Sequence, residues 1–472
     1  MASGDPTILS AQQLARELAQ GRLSSVDVTT AFLDKIQSNN PKLNAFIDVF
    51  DKEAVQAAEA ADKLRRAGYS AGPLHGMPIA LKDLINIEGK VTTGGSAAWR
   101  DRKAQHTATL ARRLQAQGFI ILGKTHTVEF AMGGWGTNRH LGTPWNPWDA
   151  EQARTPGGSS SGSGVAVAAG LTPWAIGTDT GGSVRLPASW CGLTGLKTTF
   201  GRVSCHGILP LSQSLDSPGP MARSVEDTAL LLAEMQGYDP LDPHSSDFPP
   251  SDSWTQMERG VRGMRIGLMP QEERAVASDE VLAAYDRSVE MLRGLGADLV
   301  PLAMPISYFE FGLMAADFMS IEGYANAADL LDDDSLPLDQ DVRPRLLAGR
   351  GRTAQEYLKL LAKTVELAKQ AASIFMGFDA LVTPTTATAA LPLDKVDQTK
   401  GPGHFTRFVN VLGLCALALP NGASADGLPL SLQIVCKNGD EATALRIGRA
   451  LQKSTDWHTR RPPVGWPVDS RT

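Results

Sequence analysis

Apolar residues recur at helical spacing near the amino-terminal end, at Leu14 and Leu18 and again at Val28, Phe32 and Ile36. That spacing predicts two helices across Leu9–Ser38 with a break near Gly21. The alanine-rich stretch Val55–Ala67 keeps the helical pattern. After the turn at Gly72-Pro73 the period changes, and GMPIALKDLINI (Gly76–Ile87) reads as a buried strand leaving a loop. His106–Gln117 is predicted as a helix and Gly118–Leu122 as a strand. Trp174–Ile176 is a short strand running into the loop GTDTGGS (Gly177–Ser183). Met264–Met269, Val281–Leu295 and Asp298–Val300 give strand, helix and strand, and Ala380–Thr383 and Leu430–Val435 are further strands. Helices alternating with short, continuously apolar strands argue for an α/β fold around a buried sheet. No internal repeat interrupts this alternation.

Composition narrows the function classes. A chain of 472 residues has room for one large α/β domain or two ordinary ones. Its 42% hydrophobic and 20% charged residues are globular values. The net charge of −6, with no strongly basic stretch, gives no electrostatic reason to favour nucleic acid. The amino-terminal segment lacks the basic start and apolar core of a signal peptide. The longest apolar run, Val165–Ile176, is broken by Gly170, Thr172 and Pro173, so no bilayer-spanning segment is expected. Cys191, Cys205, Cys415 and Cys436 form no CxxC pair and read as reduced, buried thiols of a cytoplasmic protein. Tyr238–Trp254, rich in Pro, Ser and Asp, reads as a surface excursion, and LDDDS (Leu331–Ser335) as a solvated acidic loop.

One stretch carries more small hydroxyls than a loop needs: TPGGSSSGSGVAVAAG, Thr155–Gly170. A flexible linker would not run straight into the buried segment Val165–Ala169. A Walker loop would need a lysine after its second glycine, and a dinucleotide fingerprint would need glycine or alanine where Val167 stands. Gly158-Ser159-Ser160-Ser161-Gly162 matches G-x-S-x-G, but the preceding WDAEQARTP is polar and ends in proline, whereas a nucleophile elbow follows a strong strand.

Taken with GMPIALKDLINIEG (Gly76–Gly89) and GTDTGGSVRLPASWCG (Gly177–Gly192), the stretch resembles the amidase signature family of serine hydrolases. The resemblance extends through LSSVDVTTAFLDKI, TPWNPWD, SLDSPGPMARSVEDTALLL and GLPLSLQIV, and the two serines Ser159 and Ser183 stand 24 residues apart, as in that family. It implies a single large domain over residues 1–472, with a central mixed β-sheet covered by helices on both faces. The catalytic core would occupy about 70–235, and a variable, pocket-shaping region about 300–375. It further implies Ser183 as nucleophile, Ser159 as bridging serine behind a cis Gly158–Ser159 peptide bond, and Lys82 as base. The residue types suit those roles. A serine hydroxyl needs a base within reach, and lysine serves only if burial among residues such as Pro78–Leu81 brings its pKa down from about 10.4. Backbone N–H groups of Thr180, Gly181, Gly182 and Ser183 would hold the oxyanion, with Asp179 and Arg185 as supports. Ser160 or Ser161 would satisfy the first N–H groups of a following helix, and Gly162 and Gly164 would let that helix pack closely. Thr198 stands where many relatives have proline.

The expected activity is cleavage of a carboxamide C–N bond through an acyl-enzyme, with esters and carbamates open to the same chemistry. Met132, Gly133 and Trp135 are candidate pocket residues, and their character leans toward aryl or hydrophobic amides. No cofactor and no metal are expected: His126 and Glu129 lack further ligands and read instead as a helix start capped by Thr127. The expected partner is a small amide-type molecule, without nucleic acid or membrane, for a monomer or homodimer. The alternative is the glutaminase (A) subunit of a tRNA-dependent glutamyl or aspartyl amidotransferase. That subunit binds glutamine with an acidic residue in a later segment, where this chain reads GHFTRFVN (Gly403–Asn410), without an acid. A non-catalytic binding protein on this fold would be expected to have lost Lys82, Ser159 or Ser183.

Overall fold

The computed structural model describes residues 5–249 and 253–463. It holds a single α/β domain built on one 11-stranded mixed sheet. The strands are β1 (Phe46–Val49), β2 (Pro78–Lys82), β3 (Ile120–Thr125), β4 (Trp174–Asp179), β5 (Thr194–Lys197), β6 (Ser217–Ala222), β7 (Arg265–Leu268), β8 (Asp298–Pro301), β9 (Ala380–Pro384), β10 (Cys415–Ala423) and β11 (Pro429–Cys436). Their order across the sheet is β1-β3-β2-β4-β6-β5-β10-β11-β9-β7-β8. β2 runs parallel to both β3 and β4, and β7 parallel to β8 and β9, while the strands between pair antiparallel.

The predicted helices form where their caps are written into the sequence. Ser10 and Gln13 make a capping box at the start of helix Ala11–Ala19, and Ser24 and Asp27 make another at Ser25–Leu43. The second helix runs past Pro41 and stops at Asn44, which takes the left-handed conformation at φ 48°. Helix Asp51–Arg66 lies on β3, and helix Glu441–Ser454 on β10 and β11. The expected helix at His106–Gln117 shortens to Thr109–Ala116, and the strand at Trp174 continues three residues further, to Asp179.

Every residue of β2, β4, β5, β6, β9 and β11 is buried, which is why their sequences read as unbroken small and apolar runs. β6 was not legible: Pro218, Gly219 and Pro220 look like a turn, yet all six residues pair with β4. Two prolines at i and i+2 withhold their missing donors from one neighbour only. That neighbour is β5, whose ladder with β6 spans only Thr194 and Gly195.

Tyr238–Trp254 follows the sheet as an irregular segment as far as it is described; residues 250–252 lie outside the described residues, as do residues 1–4 of the segment read for a signal peptide. In the acidic loop Asp334 pairs with Arg343. All four cysteines are free thiols, three buried and Cys205 partly exposed. Among the described residues no helix is long and apolar enough to cross a membrane.

Candidate active site

The site gathers at the carboxyl ends of β2 and β4, parallel neighbours in the sheet, where α/β folds open their crevices. Lys82 is the last residue of β2 and is fully buried. Its Nζ lies 2.7 Å from Ser159 Oγ and 2.8 Å from Thr178 Oγ1 on β4. Other buried lysines are held differently. Lys124 forms an ion pair with Asp83 at 2.8 Å, and Lys197 donates to the carbonyls of Thr198 and Leu414. Lys82 has no carboxylate at ion-pair distance among the described residues. Burial pulls its pKa down to about 7, against the opposing charges of Asp216 and Asp179.

Ser159 follows Gly158 through a cis peptide bond and is itself fully buried. The next residues open helix Ser161–Ala168. Neither expected cap forms. The Ser160 hydroxyl donates to the Thr178 carbonyl and accepts from the Thr178 N–H, both at 3.2 Å, so it ties the serine stretch to β4 instead. Ser161 Oγ has no partner among the described residues. Gly162 sits so close to the β1 and β3 ends that a Cβ there would lie 2.3 Å from the Ala45 carbonyl oxygen.

The loop after β4 carries Ser183, which is 7% exposed and lines a cavity of about 350 Å³. Its carbonyl accepts from the Ser160 N–H at 3.3 Å, while its hydroxyl makes no hydrogen bond within the described protein. Asp179 and Arg185 form a fully buried, two-pronged ion pair at 2.8 and 3.0 Å. Arg185 also donates to Gln433, Asn410 and the Thr406 carbonyl, and Asn410 donates back to Asp179. Burial alone would raise the Asp179 pKa, but the Arg185 charge and these hydrogen bonds hold it well below the usual carboxylate range. The pair fixes the loop directly, because Asp179 accepts from the N–H groups of Gly182 at 2.8 Å and Val184 at 3.1 Å.

That contact corrects one expectation. The N–H of Gly182 is spent on Asp179 and cannot serve as an oxyanion donor; its role is the turn itself, at φ 126°. The N–H groups of Thr180, Gly181 and Ser183 make no hydrogen bond among the described residues and remain available. The Thr180 side chain donates to Asp216 at 2.5 Å. Burial raises Asp216 to about 6.

Met132, Gly133 and Trp135 all line the cavity, beside Gly181, Leu186 and Met319. Trp135 doubles as core, stacked on Trp190 at 5.4 Å. The apolar wall is only half of the picture, so the lean toward aryl or hydrophobic amides does not hold. Arg345, Arg352, Arg407 and Asp317 line the cavity too. The helix start expected at Thr127 is also corrected. Val128 precedes a short 3-10 turn, Glu129–Ala131, and Thr127 Oγ1 bonds to the Val128 carbonyl instead. Burial lowers His126 to about 4, and Glu129 accepts from the Asp339 N–H. Thr178, Asp216, Asn410, Arg345 and Arg407 are site residues that sequence reasoning missed. Only Asn410 and Arg407 lay in a segment already singled out.

Comparisons with known proteins agree with this geometry. The family model described as Amidase matches residues 27–445. The glutamyl-tRNA(Gln) amidotransferase (A) subunit of Chloroflexus aggregans is 37% identical, across 95% of this chain and 96% of its own. A solved structure described as a vestigial protein complex bearing on the evolutionary origins of an s-triazine catabolic enzyme superposes with a TM-score of 0.88 at 32% identity, covering 94% of this chain and 98% of the other. A peptide amidase in complex with the competitive inhibitor chymostatin gives a TM-score of 0.85 at 30% identity, covering 96% and 99%. The first of these relatives overturns the expectation of a chain acting on its own without nucleic acid. A protein this similar is named as one subunit of an amidotransferase for glutamyl-tRNA(Gln).

Proposed function

Because the chain belongs to the amidase family, we propose that it hydrolyses a carboxamide C–N bond through an acyl-enzyme on Ser183. The observation that carries this reading is the buried Lys82 amine, with a pKa near 7, at 2.7 Å from Ser159 Oγ and with hydroxyls rather than a carboxylate around it. A lysine in that state is half neutral at pH 7 and can accept a proton.

In the proposed reaction Ser183 turns its hydroxyl toward Ser159 and attacks the amide carbonyl carbon. Its proton passes to Ser159 as the Ser159 proton passes to Lys82. The oxyanion takes the N–H groups of Thr180, Gly181 and Ser183. Collapse breaks the C–N bond, and the amine leaves with the proton returned through Ser159. Water then attacks the ester carbon by the same relay, giving the carboxylic acid and free Ser183. Asp179 and Arg185 keep the loop in place, and Thr178 orients the amine. The segment 300–375 shapes the cavity through Met319 and Arg345. Four unpaired cysteines suit a reducing, cytoplasmic setting.

Two readings of the amide are supported by different observations. The relatives favour the glutaminase (A) subunit of a tRNA-dependent amidotransferase, in which glutamine is the amide and partner subunits use the ammonia on glutamyl-tRNA(Gln). The cavity favours an amide hydrolase of different substrate charge, since Gly403–Asn410 supplies Arg407 where that subunit is expected to carry an acid. Fluorophosphonate labelling with peptide mapping tests the shared chemistry. A single adduct at Ser183, lost in Lys82→Ala, is expected; an adduct at Ser160, or none in folded protein, overturns it. Ammonia release from glutamine, measured for the chain alone and with amidotransferase partner subunits and glutamyl-tRNA, separates the two readings.

A further inference from the structure

The charged groups on the cavity wall do not balance. Asp317 is the one carboxylate among the lining residues, and it is already bound to Arg352 at 2.9 Å near the solvent end. Arg345 and Arg407 have no carboxylate at ion-pair distance among the described residues. Arg345 donates to the Met132 carbonyl at 3.3 Å and to the Gln398 side chain at 3.0 Å. Arg407 makes a single hydrogen bond, to the Gly312 carbonyl at 3.3 Å. Most of its five donors are therefore unused.

Arg407 is also next to the chemistry. Its Cγ lies 3.4 Å from the point a Cβ on Gly181 would occupy, so its stem runs along the oxyanion loop. Arg345 approaches from the opposite wall, with Nη1 3.6 Å from the corresponding point on Gly133. Burial and the neighbouring Arg345 charge both lower the Arg407 pKa, as expected when two cations share a site without a counter-ion. A half-buried guanidinium pair left unmatched is costly unless a ligand matches it. Planar forks of N–H donors fit a carboxylate.

We propose that Arg407, with Arg345, forms a carboxylate subsite, and that the substrate is the ω-monoamide of a dicarboxylic acid rather than a neutral or zwitterionic amide. No acid on the wall is left to receive an α-ammonium group, because Asp317 is taken by Arg352. The inference rests on amide hydrolysis at Ser183 and names the acyl group delivered to it. The hydrolysis is balanced as monoamide plus water to dicarboxylate plus ammonia.

Titration calorimetry on Ser183→Ala protein reads the subsite without turnover. Glutaramate, glutamine, pentanamide and 5-aminopentanamide present the same chain length with different charge. Glutaramate is expected to bind at least about tenfold more tightly than each of the other three, as a charge-assisted pair implies. Adding Arg407→Gln should reduce that margin to under about threefold, and Arg407→Lys should keep part of it. Equal binding of glutaramate and pentanamide, or tighter binding of glutamine, overturns the proposal. If Arg407→Gln does not fold, the ranking in the parent protein and in Arg407→Lys decides. Fluorophosphonate labelling of Ser183 in the wild-type protein is read separately, so failure of the nucleophile and failure of the subsite are distinguishable.

Discussion

The pH dependence of Ser183 reactivity follows from the surroundings of one amine. Burial at the end of β2 takes Lys82 from 10.5 to about 7, against the charges of Asp216 and Asp179. A fall of about 3.5 units corresponds to about 5 kcal/mol at about 1.36 kcal/mol per unit. At an ordinary lysine pKa about 1 in 3,000 molecules would hold the neutral base at pH 7; at a pKa of 7 about half do. The assay is the second-order rate of fluorophosphonate labelling of Ser183 between pH 5 and 9. The rate should climb about tenfold per unit below a midpoint near 7 and change by less than about twofold from pH 8 to 9. An unperturbed lysine would give a further tenfold over that last unit, and such a rise would refute the assignment. Asp216→Asn removes one of the negative charges that favour protonated Lys82, so its midpoint should move to lower pH. The same shift has a stability sign. Between about pH 7 and 10.5 the unfolded lysine is protonated and the folded one is not, so the unfolded state binds more protons. Stability therefore rises with pH across that window through Lys82, and the contribution is flat below it.

Ser183→Ala should abolish amide turnover, and Ser159→Ala should leave at most slight activity; near-normal rates from purified Ser183→Ala would sink the acyl-enzyme. Asp179→Asn leaves Arg185 buried with its charge unmatched and should cost about 3–5 kcal/mol, read as a lower urea midpoint; a shift below about 1 kcal/mol would show that the pair does not hold the loop. Dialysis against a chelator should leave Ser183 labelling unchanged, because the proposed relay uses hydroxyls and an amine. Activity lost on chelation and restored by zinc would contradict it.

Much of this was written locally. The capping boxes at Ser10 and Ser24, the apolar run Pro78–Leu81 and the small-residue stretch around Ser159 can be read because each depends on neighbours a few residues away. The strand Ser217–Ala222 could not, since its prolines are tolerated only because β5 leaves them unpaired. Nor could Cys415–Ala423, an apolar run that periodicity alone does not assign to a strand or a helix.

The sequence by itself determined the alternation of helices and buried strands, the family resemblance, and which serines and which lysine could do the chemistry. Tertiary structure alone decided their state. Lys82 has its pKa because β3 and β4 flank it in the sheet, while Lys124, at the end of the adjacent strand β3, is neutralised by Asp83. Gly182 is lost as an oxyanion donor because the Asp179 carboxylate folds back onto it. The charge of the cavity comes from Arg345 and Arg407, more than 150 residues beyond Ser183 in the chain, carried there by contacts that spacing does not encode. Burial and charge pairing depend on what strand order brings together, whereas motif and periodicity report only on the chain's own near neighbours.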